Sequence, residues 1–187
     1  MKFFDFIIFF DFLSNEVTGM IALKITGLGS FMSRLFSGNT FDSFLLSEGT
    51  LQMGVIWHVD GRLNRDFFEK DVWEDPAQRP YDYTAWSEIR PYLRDLIRGK
   101  KAPVSFQFVL HLKPELMEKM LRKGGEDELL SSVGAFVLTI RYKDGEVSLL
   151  SGISMKSFTM NKNADILWDK AIRRFLEAKE IAFEPLA

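Results

Sequence analysis

Cysteine is absent from the 187 residues. That excludes disulfides, thiol nucleophiles, iron–sulfur clusters and zinc sites built on thiolates. Histidine is scarce: His58 and His111 are the two in the chain, too few for most catalytic metal centres. Charge of one sign is lacking too. Against 24 Lys and Arg stand 26 Asp and Glu, a net charge of −2, so the chain as a whole has no bulk attraction to nucleic acid or anionic lipid. The phosphate-cradling loop, the helical zinc-binding histidine pair and the nucleophile elbow are all missing. Gly27-Leu28-Gly29-Ser30-Phe31-Met32 follows a strand pattern, but a dinucleotide fingerprint needs glycine or alanine where Met32 stands. No catalytic residue, cofactor or metal is therefore assigned.

What the chain has in quantity is phenylalanine, 18 in all, with 47% hydrophobic and 27% charged residues. This is the composition of a packed globular domain. One apolar run stands apart. Residues 1–13, MKFFDFIIFFDFL, are too short to span a bilayer, are interrupted by Asp5 and Asp11, and lack a small-residue cleavage site. Two readings stay open for residues 1–19: a segment packed on the domain, or an extension upstream of a true start at Met20.

Residues 20–187 read as one α+β domain of two pseudo-repeats, about 20–80 and 103–160, with a C-terminal helix. An offset of 85 carries Ile21, Leu23 and Ile25 onto Phe106, Phe108 and Leu110. The same offset carries the helical stripe Phe31, Met32, Leu35, Phe36 onto Leu116, Met117, Met120, Leu121. Asp60-Gly61 and Asp144-Gly145 both read as hairpin turns, after strand-like runs at 51–59 and 135–142. The expected sheet is antiparallel, with helices on one side.

Two more helices fall outside the repeat. Residues 84–98 place Trp86, Ile89, Leu93 and Ile97 on one face, with Thr84 as cap, Gly99 as stop and a distortion at Pro91. Residues 163–179 carry Ile166, Ile172, Phe175 and Leu176, with Asn163 as cap and Asp165 at the positive helix end. Between the Asp60-Gly61 hairpin and the first of these helices, residues 67–83 read as an irregular, acidic, aromatic crossover.

Three side chains weigh as catalytic candidates. His58 and Asp60 share one face of a strand end, and Asp66 follows closely. The preferred reading puts His58 and Asp60 on the solvent side of a hairpin, opposite Leu51, Met53, Val55, Trp57 and Val59. His111 falls opposite Phe106, Phe108 and Leu110 and reads as a surface residue. An enzyme with a dispersed site around His58, Asp60 and Asp66 is the alternative to a binding module.

The binding reading rests on a basic stripe. Arg90, Arg94 and Arg98 recur every four residues, so they share one helix face, and Lys100 and Lys101 extend the cluster past the helix end. Like charges at that spacing cost about 0.2–0.5 kcal/mol per pair, so something negative should compensate. Either Glu69, Asp71, Glu74 and Asp75 fold back to do so, or the partner is an external anion, nucleic acid or an acidic protein. Trp73, Tyr81 and Tyr83 would supply stacking for a single strand, or equally serve as buried anchors of the crossover. The chain thus reads as a cytoplasmic, non-enzymatic interaction module with a basic face and no membrane partner.

Trp57, Asp60-Gly61-Arg62-Leu63-Asn64, Asp66-Phe67-Phe68 and residues 96–103 (LIRGKKAP), with MIALKITGLGSFMSRLF and FDSFLLSE, carry a resemblance. They look like an uncharacterised bacterial family, a domain of unknown function, over about Met20 to the C-terminus. That resemblance implies no activity, cofactor or catalytic residue. A fainter likeness to sliding DNA clamps, which repeat a strand–helix–meander unit, bears on the fold alone. Clamp helices that face DNA are basic, whereas here Glu115 and Glu118 are mixed with Lys119, Arg122 and Lys123.

Overall fold

A computed structural model describes residues 20–99 and 101–186; the apolar run at 1–13 and the expected start at Met20 bear on residues 1–19, outside them. The strands are β1 (Ala22–Ile25), β2 (Phe44–Gln52), β3 (Ile56–Asp60), β4 (Ser105–Leu112), β5 (Val133–Lys143), β6 (Glu146–Met155) and β7 (Phe183–Pro185). The helices are α1 (Leu28–Phe36), α2 (Lys70–Glu74), α3 (Trp86–Ile97), α4 (Pro114–Gly124) and α5 (Asn163–Ala178). All seven strands join one antiparallel sheet in the order β3-β2-β4-β5-β6-β1-β7, an α+β architecture.

Strict alternation builds the central strands. In β4, Phe106, Phe108, Leu110 and Leu112 are buried while Ser105, Gln107, Val109 and His111 turn to the other face. Phe108 lies opposite Gly49 and Ile140 in the register, and a Cβ on Gly49 would come within 3.0 Å of the Phe108 ring. The phenylalanines concentrate here. Phe106 stacks on Phe108 (4.9 Å) and on Tyr142 (5.2 Å), Phe36 meets both phenylalanines edge-on, and Phe136 stacks on Trp168 (5.0 Å). Each such burial contributes about 1.5–3 kcal/mol.

The element order strand–helix–hairpin occurs twice, as β1-α1-β2-β3 and β4-α4-β5-β6. The pairing differs between the two. β4 lies beside β5, but β1 lies beside β6 and β7 instead of β2. Asp144-Gly145 is a hairpin turn with both residues at positive φ (52° and 81°), the form that matches strand twist. Asp60-Gly61 is not a turn. The first hairpin turns at residues 53–55, so the apparent strand at 51–59 is the end of β2 joined to β3. Gly61 answers to space instead: its N–H donates to the Ser47 carbonyl (2.9 Å), beside the bulge between Leu46 and Glu48.

Helix ends shift from their expected caps. α3 starts after Ala85, and the Thr84 hydroxyl donates to Glu88 Oε2 (3.3 Å) without capping the backbone. Pro91 sits inside α3, which nevertheless continues to Ile97. α5 starts after Lys162, and the Asn163 carboxamide donates to Glu126 Oε1 (2.7 Å). Its inward row is Ala164, Trp168, Ile172 and Leu176 at four-residue spacing, so Ile166 is exposed. Where β1 enters, the Ser151 hydroxyl accepts from Ile21 N–H (2.9 Å) and donates to Asp169, satisfying a polar group 3% exposed.

Candidate functional site

α3 presents the stripe that the spacing expects, but its three arginines end in different surroundings. Arg90 flanks the helix's buried face and donates to Asp42 Oδ1, with 16% of its side chain exposed. Compensation at that position is therefore internal, from the loop between α1 and β2. Arg94 is exposed, and the carboxylate beside it is its own neighbour Asp95 (3.7 Å). Arg98 and Lys101 are exposed beyond it, and neither forms an ion pair among the described residues. Lys100 lies outside the described residues.

Among the described residues, the acidic crossover forms no ion pair with the stripe. Glu74 reaches Lys70 one turn away (4.0 Å). Asp75 accepts from Gln78 Nε2 and from Ala77 N–H (both 2.9 Å), and these bonds hold its carboxyl below the ordinary range. Trp73, Tyr81 and Tyr83 are equally committed. The Arg79 guanidinium lies 4.1 Å over the Trp73 ring and donates to the Trp73 and Tyr81 carbonyls (3.0 and 3.1 Å) and to Asp82 (3.0 Å). The Tyr81 hydroxyl donates to Glu115 (2.7 Å), and burial followed by that bond pushes it up to about 12. Tyr83 accepts from Arg62 (3.2 Å) and meets His111 edge-on (5.2 Å). The expected stacking platform is thus tied into intramolecular contacts.

Two cavities of about 470 Å³ each flank the crossover. One is an open groove over β2 and β3, lined by Glu48, Thr50, His58, Asp60, Arg62 and Tyr83 among others. It gathers His58 and Asp60, as their strand position implied. Asp66 is not among its lining residues; the Asp66 N–H is held by Asn64 Oδ1 (3.1 Å) in a 3-10 turn. None of the stripe arginines lines the groove either. His58 Nδ1 lies 3.2 Å from Thr50 Oγ1, and Asp60 accepts from the Arg62 N–H (2.9 Å). The face opposite His58 is less buried than its apolar residues suggest: Val55 and Trp57 are 60% and 45% exposed, because β3 is an edge strand.

The second cavity lies between the crossover, the start of α4 and the end of the sheet, with Leu45, Trp73, Tyr81, His111 and Met117 in its walls. It corrects the reading of His111 as a surface residue. Outward register placed the side chain on the second face, but the crossover covers that face, and burial pushes the imidazole below its ordinary value. The alternation is legible from sequence; the cover is not. Among the described residues, no group of three or more metal-ligating side chains converges, and no helix is long and apolar enough to cross a membrane.

No curated protein and no solved structure matches this chain, so the likeness to sliding clamps has no matched structure behind it. A family match does exist, over residues 34–184. It takes in the Asp60–Asn64 and 96–103 segments but begins at Arg34, well after Met20. Spanning most of the chain, from the end of α1 to β7, that match places the protein in the family of unknown function DUF5721.

Proposed function

We propose that this protein is a cytoplasmic, non-enzymatic interaction module whose partner is an acidic protein segment bound at Arg94, Arg98 and Lys101, with Lys100 between. The observation that carries the reading is the division of the stripe. Arg90 has its carboxylate in Asp42, whereas Arg94 and Arg98 stay exposed, and among the described residues Asp95 is the one acid within ion-pair distance of either. Exposed cations at the C-terminal end of a helix are available to an anionic partner at little folding cost. A protein is favoured over single-stranded nucleic acid because Trp73, Tyr81 and Tyr83 are occupied by Arg79, Glu115 and Arg62.

The test compares wild type with Arg94→Glu and Arg98→Glu on polyglutamate, heparin and single-stranded DNA. Retention on polyglutamate that falls with salt and is lost in both variants supports the reading. Retention on DNA surviving to higher salt than on polyglutamate would replace the partner by nucleic acid. No retention of wild type on any polyanion at low salt would end it.

A further inference from the structure

A seven-stranded sheet has two edges, and this chain guards them unequally. The β7 edge is three residues long and carries Pro185, two devices that discourage further pairing. The β3 edge is five residues, Ile-Trp-His-Val-Asp, with neither proline nor lysine. Two bonds bracket its ladder with β2: Met53 N–H to the Val55 carbonyl and Gly61 N–H to the Ser47 carbonyl, both 2.9 Å. Bonded pairs alternate in an antiparallel ladder, so Trp57 and Val59 bond to β2. The N–H and C=O groups of Ile56, His58 and Asp60 therefore face the open side, where they meet no backbone partner among the described residues. Around them Val55, Ile56 and Trp57 are 60%, 57% and 45% exposed. Val104, 58% exposed, joins the same end of the sheet through its bond to the Gln52 carbonyl (2.9 Å).

We infer that β3 pairs antiparallel with β3 of a second copy of this chain, about a two-fold axis at His58, fusing two sheets into one. That register sets His58 against the second copy's His58 and Ile56 against its Asp60. Every outward-facing residue then meets an outward-facing residue, and each such pair exchanges two hydrogen bonds. Any shift leaves at least one outward group unpaired. On the helix side the same register sets Trp57 against Val59, an aromatic–β-branched pair.

Charge agrees with the antiparallel choice. The Asp60 end carries two facing carboxylates, Asp60 and Glu48, while the Arg62 guanidinium beside them is engaged by the Tyr83 hydroxyl (3.2 Å). The Ile56 end is where the chain arrives from α3 through Arg98 and Lys101 to Val104. Antiparallel pairing brings the cationic end of one copy to the anionic end of the other, twice; parallel pairing would align like with like. Arg98 and Lys101 also belong to the surface proposed above for an acidic partner; the pairing through β3 itself stands apart from that surface, and protection of the Ile56, His58 and Asp60 amides reports on it alone.

The experiment is sedimentation equilibrium of the full chain over a concentration series, with residue-resolved amide exchange, for wild type, His58→Pro and Trp57→Lys. His58→Pro removes an N–H that faces the open side and leaves the β2 ladder intact. Wild type is expected to dimerise, with protection of the Ile56, His58 and Asp60 amides that grows with concentration. Each variant should raise the dimer dissociation constant by about tenfold or more, at least 1.4 kcal/mol. A wild type that stays monomeric overturns the inference. So does a dimer that both variants leave unchanged, or one in which those three amides exchange freely. If His58→Pro fails to fold, shown by loss of its circular dichroism, Trp57→Lys and the amide pattern decide.

Discussion

Gly61 lies against the carbonyl of Leu46: a Cβ at this position would fall 1.8 Å from the oxygen and 2.6 Å from the carbon. Nothing flexible stands in the way that could yield, since both atoms are backbone. Gly61→Ala should therefore cost about 2–4 kcal/mol, in the range of backbone-strain and overpacking mutants. Gly54, with open space around it, is the control, and Gly54→Ala should stay within about 0.5 kcal/mol. Chemical denaturation of the two variants reads the difference; equal stability would remove the collision from the account of why this position is glycine.

The arginine stripe divides into one structural and two available residues. Arg90→Ala should destabilise by about 1–2 kcal/mol, less than a fully buried pair because Asp42 is partly solvated. Asp42→Ala should cost a similar amount, and the double mutant less than the sum, as expected of two groups in contact. Arg94→Glu should stay within about 0.5 kcal/mol. A double-mutant cycle by thermal or urea unfolding checks this. Additive Arg90 and Asp42 effects would mean that the two do not interact in solution.

His111 should titrate below the ordinary histidine value, because burial under Tyr83 disfavours its charged form. A histidine depressed in the folded state binds fewer protons there than when unfolded. Its contribution is present above the unfolded value and is lost as pH falls through the folded one. Proton NMR of the two imidazoles follows this directly. His111→Gln should flatten the acid limb of the stability profile, and a His111 signal midpoint at or above 6.5 would contradict the burial.

Tyr81 should ionise late, at about 12, because burial and its bond to Glu115 favour the neutral hydroxyl. An acid raised in the folded state contributes stability that is present below the unfolded value, near 10, and lost as pH climbs toward 12. Ultraviolet titration of tyrosinate should show one late step, absent in Tyr81→Phe. A late step that persists in that variant belongs to another tyrosine.

Short-range signals were readable in the chain and long-range ones were not. Asp144-Gly145 reads correctly because its turn is set by two local positive φ angles. Asp60-Gly61 is the same dipeptide and misleads, because Gly61 answers to a carbonyl that approaches from Leu46. The period of α3 exposes the stripe, yet the partner of Arg90 lies 48 residues upstream at Asp42, beyond any helical spacing. Alternation places His111 on the second face of β4, while the crossover that covers it is an irregular segment with no period to read. For the same reason the sequence leaves open whether Trp73 is a stacking surface or an anchor, and the Arg79 guanidinium over its ring makes it an anchor.

The position of β1 has a consequence for how the molecule comes into being. Leu23 and Ile25, buried almost completely, find their neighbours in Leu149, Val147, Phe183 and Pro185. During synthesis β1 therefore leaves the ribosome with no partner, and it must wait for β6 and β7 to emerge. Contacts of such wide sequence separation slow folding, because the intervening loop must close before they yield any return. The hairpin of β5 and β6 can form as soon as it emerges, with its own local turn. The sheet is thus completed late, at its β6 border, and the nascent protein carries an apolar strand in search of a place until β6 and β7 are made.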